Sequence, residues 1–257
     1  MRARLSSSSF GLVSLWGRLG VAFAVASQLS LATGGLLMVP HPAQAITEAV
    51  AAKKLAVIPV FVLTDEKGTP LPIPRDKDLI LPLYLDRTKA ESELAAFKKA
   101  NPAVKAKLLP IPLNVANDKI LELNKQLKDK KLLGAVIPRP QDRAEAVKLL
   151  KQQGLTDKAI AEGLSVPVFF TRPFLTLNTP QGPRGVFFFS FDALENALAK
   201  IPDRQKLMPQ AADLSAVLRE IIKQKDDLYV FFPTPEYFKL VQQQGGAAKT
   251  PSPVAPK

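Results

Sequence analysis

Catalysis by side chains needs a nucleophile with its base, a pair of carboxylates or a metal-ligating cluster, and this chain offers few of these. Its single His is His41, and it has no Cys. Residues 46–257 therefore lack the parts of a Ser-His-Asp triad, a Cys-His dyad or a typical zinc site. No Gly-rich phosphate loop occurs. What remains is carboxylate-pair, Ser-Lys or Tyr/Lys chemistry. Asp76 and Asp78 share a Pro-rich loop, and Asp226 adjoins Asp227 at an expected helix end. Neighbouring acids in charged loops read as solvated groups, because nothing apolar around them would raise a pKa. Ser190 and Ser215 have no Lys at a suggestive spacing. The sequence thus predicts no catalytic residues, no cofactor and no metal, and a protein that is not an enzyme.

The other available chemistry is apolar contact. Phe169, Phe170, Phe187, Phe188, Phe189, Phe231 and Phe232 fall on three expected strands. One reading is a Phe-filled core. The other is that part of this set lines an exposed groove for an unfolded chain, which makes these seven the candidate client-binding residues.

The elements that must position them form a pattern that occurs twice. Val57-Ile58-Pro59-Val60-Phe61-Val62-Leu63-Thr64 returns as Ser165-Val166-Pro167-Val168-Phe169-Phe170-Thr171. Both runs are β-branched and aromatic and read as strands with two buried faces. Each is followed by a Pro-rich hairpin tip, a second strand (79–86 and 185–192) and a helix (88–99 and 192–200). A Pro-marked segment then leads to a longer helix (117–131 and 210–225), a short strand before Pro138 or Pro233, and a last helix ending Gln-Gln-Gly. Matching order and punctuation over about ninety residues predict an internal repeat. The expected fold is α/β (α+β). It has two pseudo-twofold-related lobes, 46–154 and 155–245, each a sheet covered by amphipathic helices. Leu214, Val217, Leu218, Ile221 and Ile222 give the clearest apolar stripe, and Thr88-x-x-Glu91 reads as a capping box. Thr156 is expected to cap a short connecting helix.

Residues 1–45 read as a cleaved export signal rather than a membrane anchor. Basic residues precede an apolar stretch broken by Ser27, Gln28 and Ser30, and Ala43-Gln44-Ala45 is a small-x-small cleavage site. Residues 246–257 read as a disordered tail. The net charge is +12, and +9 without the first 45 residues. Residues 46–154 carry +7 and residues 155–257 carry +2. Lys125, Lys128, Lys130 and Lys131 crowd one expected helix end, either as solvated cations offsetting the helix dipole or as weak attraction for an anionic membrane or protein surface. Export and the lack of any recognition motif argue against nucleic acid.

The doubled unit resembles the Tic twenty-two family, the soluble intermembrane-space subunit of the chloroplast inner-envelope protein translocon, and its cyanobacterial relatives. The resemblance rests on Ile58-Pro59-Val60-Phe61, Val166-Pro167-Val168-Phe169-Phe170-Thr171, Pro180-Gln181-Gly182, Phe191-Asp192-Ala193-Leu194-Glu195 and Phe232-Pro233-Thr234-Pro235. It covers about residues 50–245. It implies a two-lobed α/β protein with apolar pockets and a non-enzymatic, chaperone-like role in moving proteins across an envelope space. The implied partners are precursor or unfolded outer-membrane proteins and the outer-membrane β-barrel assembly machinery. The bacterial-style signal points to a cyanobacterial member in the periplasm, with the thylakoid lumen as a second compartment. No short site motif carries binding residues over. The competing reading is a periplasmic small-ligand binding protein that uses the cleft between the lobes.

Overall fold

A computed structural model describes residues 46–243. The expected export signal and tail lie outside the described residues. The first half runs α1 (Glu48–Lys53), a 3-10 turn (Lys54–Val57), β1 (Pro59–Thr64), β2 (Ile73–Arg75), β3 (Asp78–Tyr84), α2 (Arg87–Ala100), β4 (Lys107–Pro112), α3 (Leu113–Asn124), β5 (Leu132–Ile137) and α4 (Pro140–Gln152). The second half runs α5 (Asp157–Gly163), β6 (Pro167–Arg172), β7 (Thr176–Thr179), β8 (Gly182–Phe188), α6 (Phe191–Leu198), β9 (Met208–Asp213), α7 (Leu214–Lys223), β10 (Tyr229–Phe232) and α8 (Pro235–Gln243). The fold is mixed α/β.

Each half builds a five-stranded sheet, and the two sheets share one connectivity. In the first, β1 pairs antiparallel with β3 and β4, β2 pairs antiparallel with β3, and β5 runs parallel to β3. In the second, β6, β7, β8, β9 and β10 repeat those pairings and senses. Phe61 opposes Tyr84 in one, and Phe169 opposes Phe188 in the other. The two similar strands read from the sequence thus occupy equivalent places.

Two strands per pair of sheets were hidden in the Pro-marked segments. β4 contains Pro110 and Pro112, and β9 contains Pro209. Proline removes a ladder donor, but each of these strands lies at a sheet edge, where one set of amides needs no ladder partner. Because β9 takes residues up to Asp213, α7 starts at Leu214 instead of 210. α3 follows β4 directly, starting at Leu113 rather than 117, and ends at Asn124 instead of 131. α2 is capped by Asp86, whose Oδ1 accepts the Lys89 amide at 3.1 Å, so the Thr88 box is replaced by a cap two residues earlier. The Thr156 cap forms as expected, accepting from the Ala159 amide at 3.2 Å.

Packing joins the halves. Strand side chains alternate faces, and the inward set of both sheets belongs to one continuous cluster. Val60, Val62 and Leu83 of the first sheet share it with Val168, Phe170 and Phe187 of the second, together with Leu113 of α3, Leu214 of α7 and Leu55. The opposite face of the second sheet is covered by α6 and, unexpectedly, by α4 of the first half. Ala146, Leu149 and Leu150 pack with Phe169, Val186 and Phe188. The expected unit 46–154 therefore sends its last helix onto the sheet of the other unit. The physical reason lies at the helix start. Arg139 makes a two-pronged bond to Asp142 at 2.6 and 2.9 Å and an ion pair to Asp192 at 3.0 Å, while Asp142 accepts the Phe191 amide at 2.9 Å. Burial alone would lower the Arg139 pKa, but the bonds and charge of Asp142 and Asp192 outweigh it and hold the guanidinium above its ordinary range.

Candidate functional site

The seven Phe do not form an exposed groove. Phe169 and Phe188 are fully buried, Phe170, Phe187, Phe189 and Phe231 are buried, and only Phe232 is half-buried. Their rings sit in edge and tilted contacts 5.1–5.8 Å apart, which is core packing. The client-binding role read from their abundance is corrected accordingly. Alternation along β6, β8 and β10 splits them between the two faces, and each face is already covered by helices. An excess of Phe signals exposure only when one face lacks cover, and here neither does.

The polar candidates are likewise used to hold the fold. Asp227 pairs with Lys54, Asp78 accepts the Lys131 amide at 3.3 Å, and Ser215 donates to Asp213, the cap of α7. Ser190 caps α6 and accepts from Arg139. Among the described residues, no group of three or more His, Cys, Asp or Glu is placed to hold a metal ion. No described helix is long and apolar enough to cross a membrane.

What the structure presents instead is a half-open pocket of about 610 Å³ beside the first sheet. Leu83 of β3, Leu132 of β5 and Leu113 and Ile120 of α3 stand behind it as core residues, and the apolar area it leaves open comes from Leu121 of α3, Leu127 of the following loop, and Leu133 and Val136 of β5. Leu121 points outward from the apolar stripe of its helix and is 48% exposed. The pocket exists because α3 ends at Asn124, so the chain from 125 to 131 forms a loop rather than another two turns of helix. That loop puts Lys128, Lys130 and Lys131 on the rim with Lys77, against only Asp78 and Asp129. Among the described residues none of these four lysines forms an ion pair. Of the lysine cluster expected at a helix end, Lys128, Lys130 and Lys131 thus stand at a pocket rim, and Lys125 does not line it. The lining residues come from the first half alone, so this pocket is not a cleft between halves.

Two residues at the pocket were not legible as functional. Gly134 lets α3 lie directly on β5, since a Cβ there would meet the Ile120 Cδ1 at 2.7 Å. Asn124 turns its amide onto Leu132, donating Nδ2–H to the carbonyl at 2.8 Å and accepting the N–H on Oδ1 at 2.7 Å. The sequence signals for the site were the lysines at 128, 130 and 131 and Leu121, an apolar residue beside Ile120 on the helix.

Comparison with known proteins agrees with this architecture. The model of the Tic22-like family matches residues 1–234. The solved structure titled Anabaena Tic22 (protein transport) is similar at 22% identity and a TM-score of 0.64, covering 80% of this chain and 99% of that one. Tic22 from Plasmodium falciparum is similar at 19% identity and a TM-score of 0.60, covering 77% of this chain and 98% of that one. No protein with a curated description matches the sequence.

Proposed function

This chain belongs to the Tic22-like family, and on that premise we propose that it is a non-enzymatic, chaperone-like protein transport factor of the periplasm. It holds apolar segments of precursor or unfolded outer-membrane proteins and passes them toward the outer-membrane β-barrel assembly machinery. The related Anabaena structure carries the description protein transport. The observation that carries the reading is the half-open pocket with apolar lining and a rim whose four lysines outnumber its two acids. Apolar contact is non-directional, so one pocket accepts many client sequences. The rim lysines attract acidic segments and keep the open apolar surface from self-association.

The test is dilution of a urea-unfolded outer-membrane β-barrel precursor into buffer with and without the protein, read as light scattering. Suppression of aggregation by the wild type, weakened by Leu121→Asp, supports the reading. Leu121 is exposed, so the substitution leaves the core intact. Equal scattering with and without the protein would overturn the proposal.

A further inference from the structure

The pocket borders an open strand edge, and the edge determines what shape of ligand fits. β5 hydrogen-bonds to β3 on one side only: the Leu79 and Leu85 amides donate to the carbonyls of Lys131 and Ile137 at 2.8 and 3.0 Å. Residues 131, 133, 135 and 137 therefore face β3, and Leu132, Gly134 and Val136 turn their N–H and C=O groups the other way. Among the described residues no strand pairs there. Asn124 satisfies both groups of Leu132, imitating one rung of a neighbouring strand. Among the described residues the rungs at Gly134 and Val136 have no such partner.

The equivalent edge in the second sheet is packed by the 3-10 turn. Gly185 donates to the Leu228 carbonyl, so Tyr229 faces away from β8. Lys54, in the 3-10 turn that packs on β10, donates to the Tyr229 carbonyl at 2.8 Å. On the β10 edge the 3-10 turn packs close and pairs one carbonyl, and on the β5 edge Asn124 pairs the Leu132 rung and leaves those at Gly134 and Val136 without a partner among the described residues. The β5 edge carries no proline or charge within Leu132–Ile137, the features that usually block an edge. Leu132 and Leu133 project to opposite faces, yet both line the pocket, so the cavity wraps around this edge.

We propose that the open edge of β5 seats an extended apolar peptide segment, which adds a strand to the first sheet while its side chains enter the lysine-rimmed pocket. Only an extended chain satisfies both open rungs at their spacing. The lysines at 128, 130 and 131 stand at the Leu132 end of the edge, so acidic residues flanking the segment on that side add to binding. The inference rests on the client-binding reading above and names its mode and substrate class.

The experiment uses the full chain and a dye-labelled peptide, Asp-Asp-Thr-Val-Thr-Val-Thr-Val, read by fluorescence anisotropy. Two further peptides carry N-methyl groups on alternate amides, one on the Thr set and one on the Val set. Strand addition engages one set and leaves the other in solvent. One N-methylated peptide is therefore expected to bind at least tenfold more weakly, and the other within threefold of the parent. Val136→Pro removes an edge N–H from the protein and is expected to weaken the parent peptide at least tenfold. Equal sensitivity to both methylation patterns overturns the edge mode, whatever Val136→Pro does to folding. So does capture of the unfolded precursor by a wild type that ignores the peptide, an outcome that leaves the client-binding reading standing. A wild-type dimer dissociated by Val136→Pro and unaffected by peptide would give the edge to a second copy and overturn the proposal. Absence of both peptide and precursor binding sinks this mode together with the function it rests on.

Discussion

The carboxylate of Asp142, at the start of α4, accepts the backbone N–H of Phe191 at the start of α6, 49 residues away. This bond, with Arg139, fixes the last helix of the first half onto the sheet of the second. Asp142 is 2% exposed. Removing it takes two bonds from Arg139, which keeps only Asp192 and Ser190, and leaves the Phe191 amide without an acceptor, at a cost of about 2–4 kcal/mol. Asp142→Ala is accordingly expected to lower the urea midpoint strongly. A change below about 1 kcal/mol would show that α4 is held by its apolar face alone.

Tyr84 gives a pH signature for the first sheet. Burial, with a smaller contribution from the Glu93 charge, pushes its hydroxyl up to about 12. Below pH 10 the phenol is protonated in both folded and unfolded chains, so stability does not depend on it. As pH rises from 10 toward 12, the unfolded state ionises first and gains. Stability is expected to fall across that window by on the order of 2–3 kcal/mol, and to level off above it. Tyr84→Phe removes this component, which pH-dependent urea melts of the two proteins would resolve. Identical curves would refute the assignment.

The phenylalanines define a contrast between fold and function. Phe188 is fully buried between β8 and the helices over it. Phe188→Ala is expected to destabilise by about 3–5 kcal/mol through lost contacts and a cavity. Client capture by the remaining folded protein should be unchanged per folded molecule. A folded variant that loses capture would return the Phe cluster to the binding surface.

Much of the architecture was legible in the sequence, and the reason is periodicity. β1 and β6 are recognisable because β-branched and aromatic runs buried on two faces have few other uses. The order of most elements in each half was legible, while which strands pair was not and came from the structure. β4 and β9 were not legible, because a proline-rich strand looks like a loop until its edge position is known. α4 was placed in order but on the wrong sheet, since helical periodicity fixes which face is buried and not what buries it. The site was misread for a related reason. Seven Phe give area without saying whether it is covered, and the pocket depends on where α3 stops, a boundary set by Asn124 bonding to Leu132.

The last prediction separates the two contributions to capture. The rim lysines act through solvent, where charges beyond about 10 Å are screened at 0.1 M salt and beyond about 3 Å at 1 M. The part-exposed Leu121, Leu127, Leu133 and Val136 of the pocket act by removing apolar area from water, a gain that salt does not weaken. Raising salt to 1 M is therefore expected to slow association of an unfolded precursor while leaving most of the equilibrium capture in place. The triple substitution Lys128→Glu, Lys130→Glu and Lys131→Glu should slow association at low salt and match the wild type at high salt. Leu121→Asp should instead weaken capture about fivefold or more at every salt concentration. A half-exposed leucine offers about 1 kcal/mol of further burial, and the new carboxylate would have to be desolvated beside the client. Stopped-flow association and equilibrium anisotropy at 0.05, 0.15 and 1 M salt give both quantities. Capture abolished by salt and indifferent to Leu121→Asp would make the basic surface of the first half, not the apolar lining of the pocket, the seat of binding.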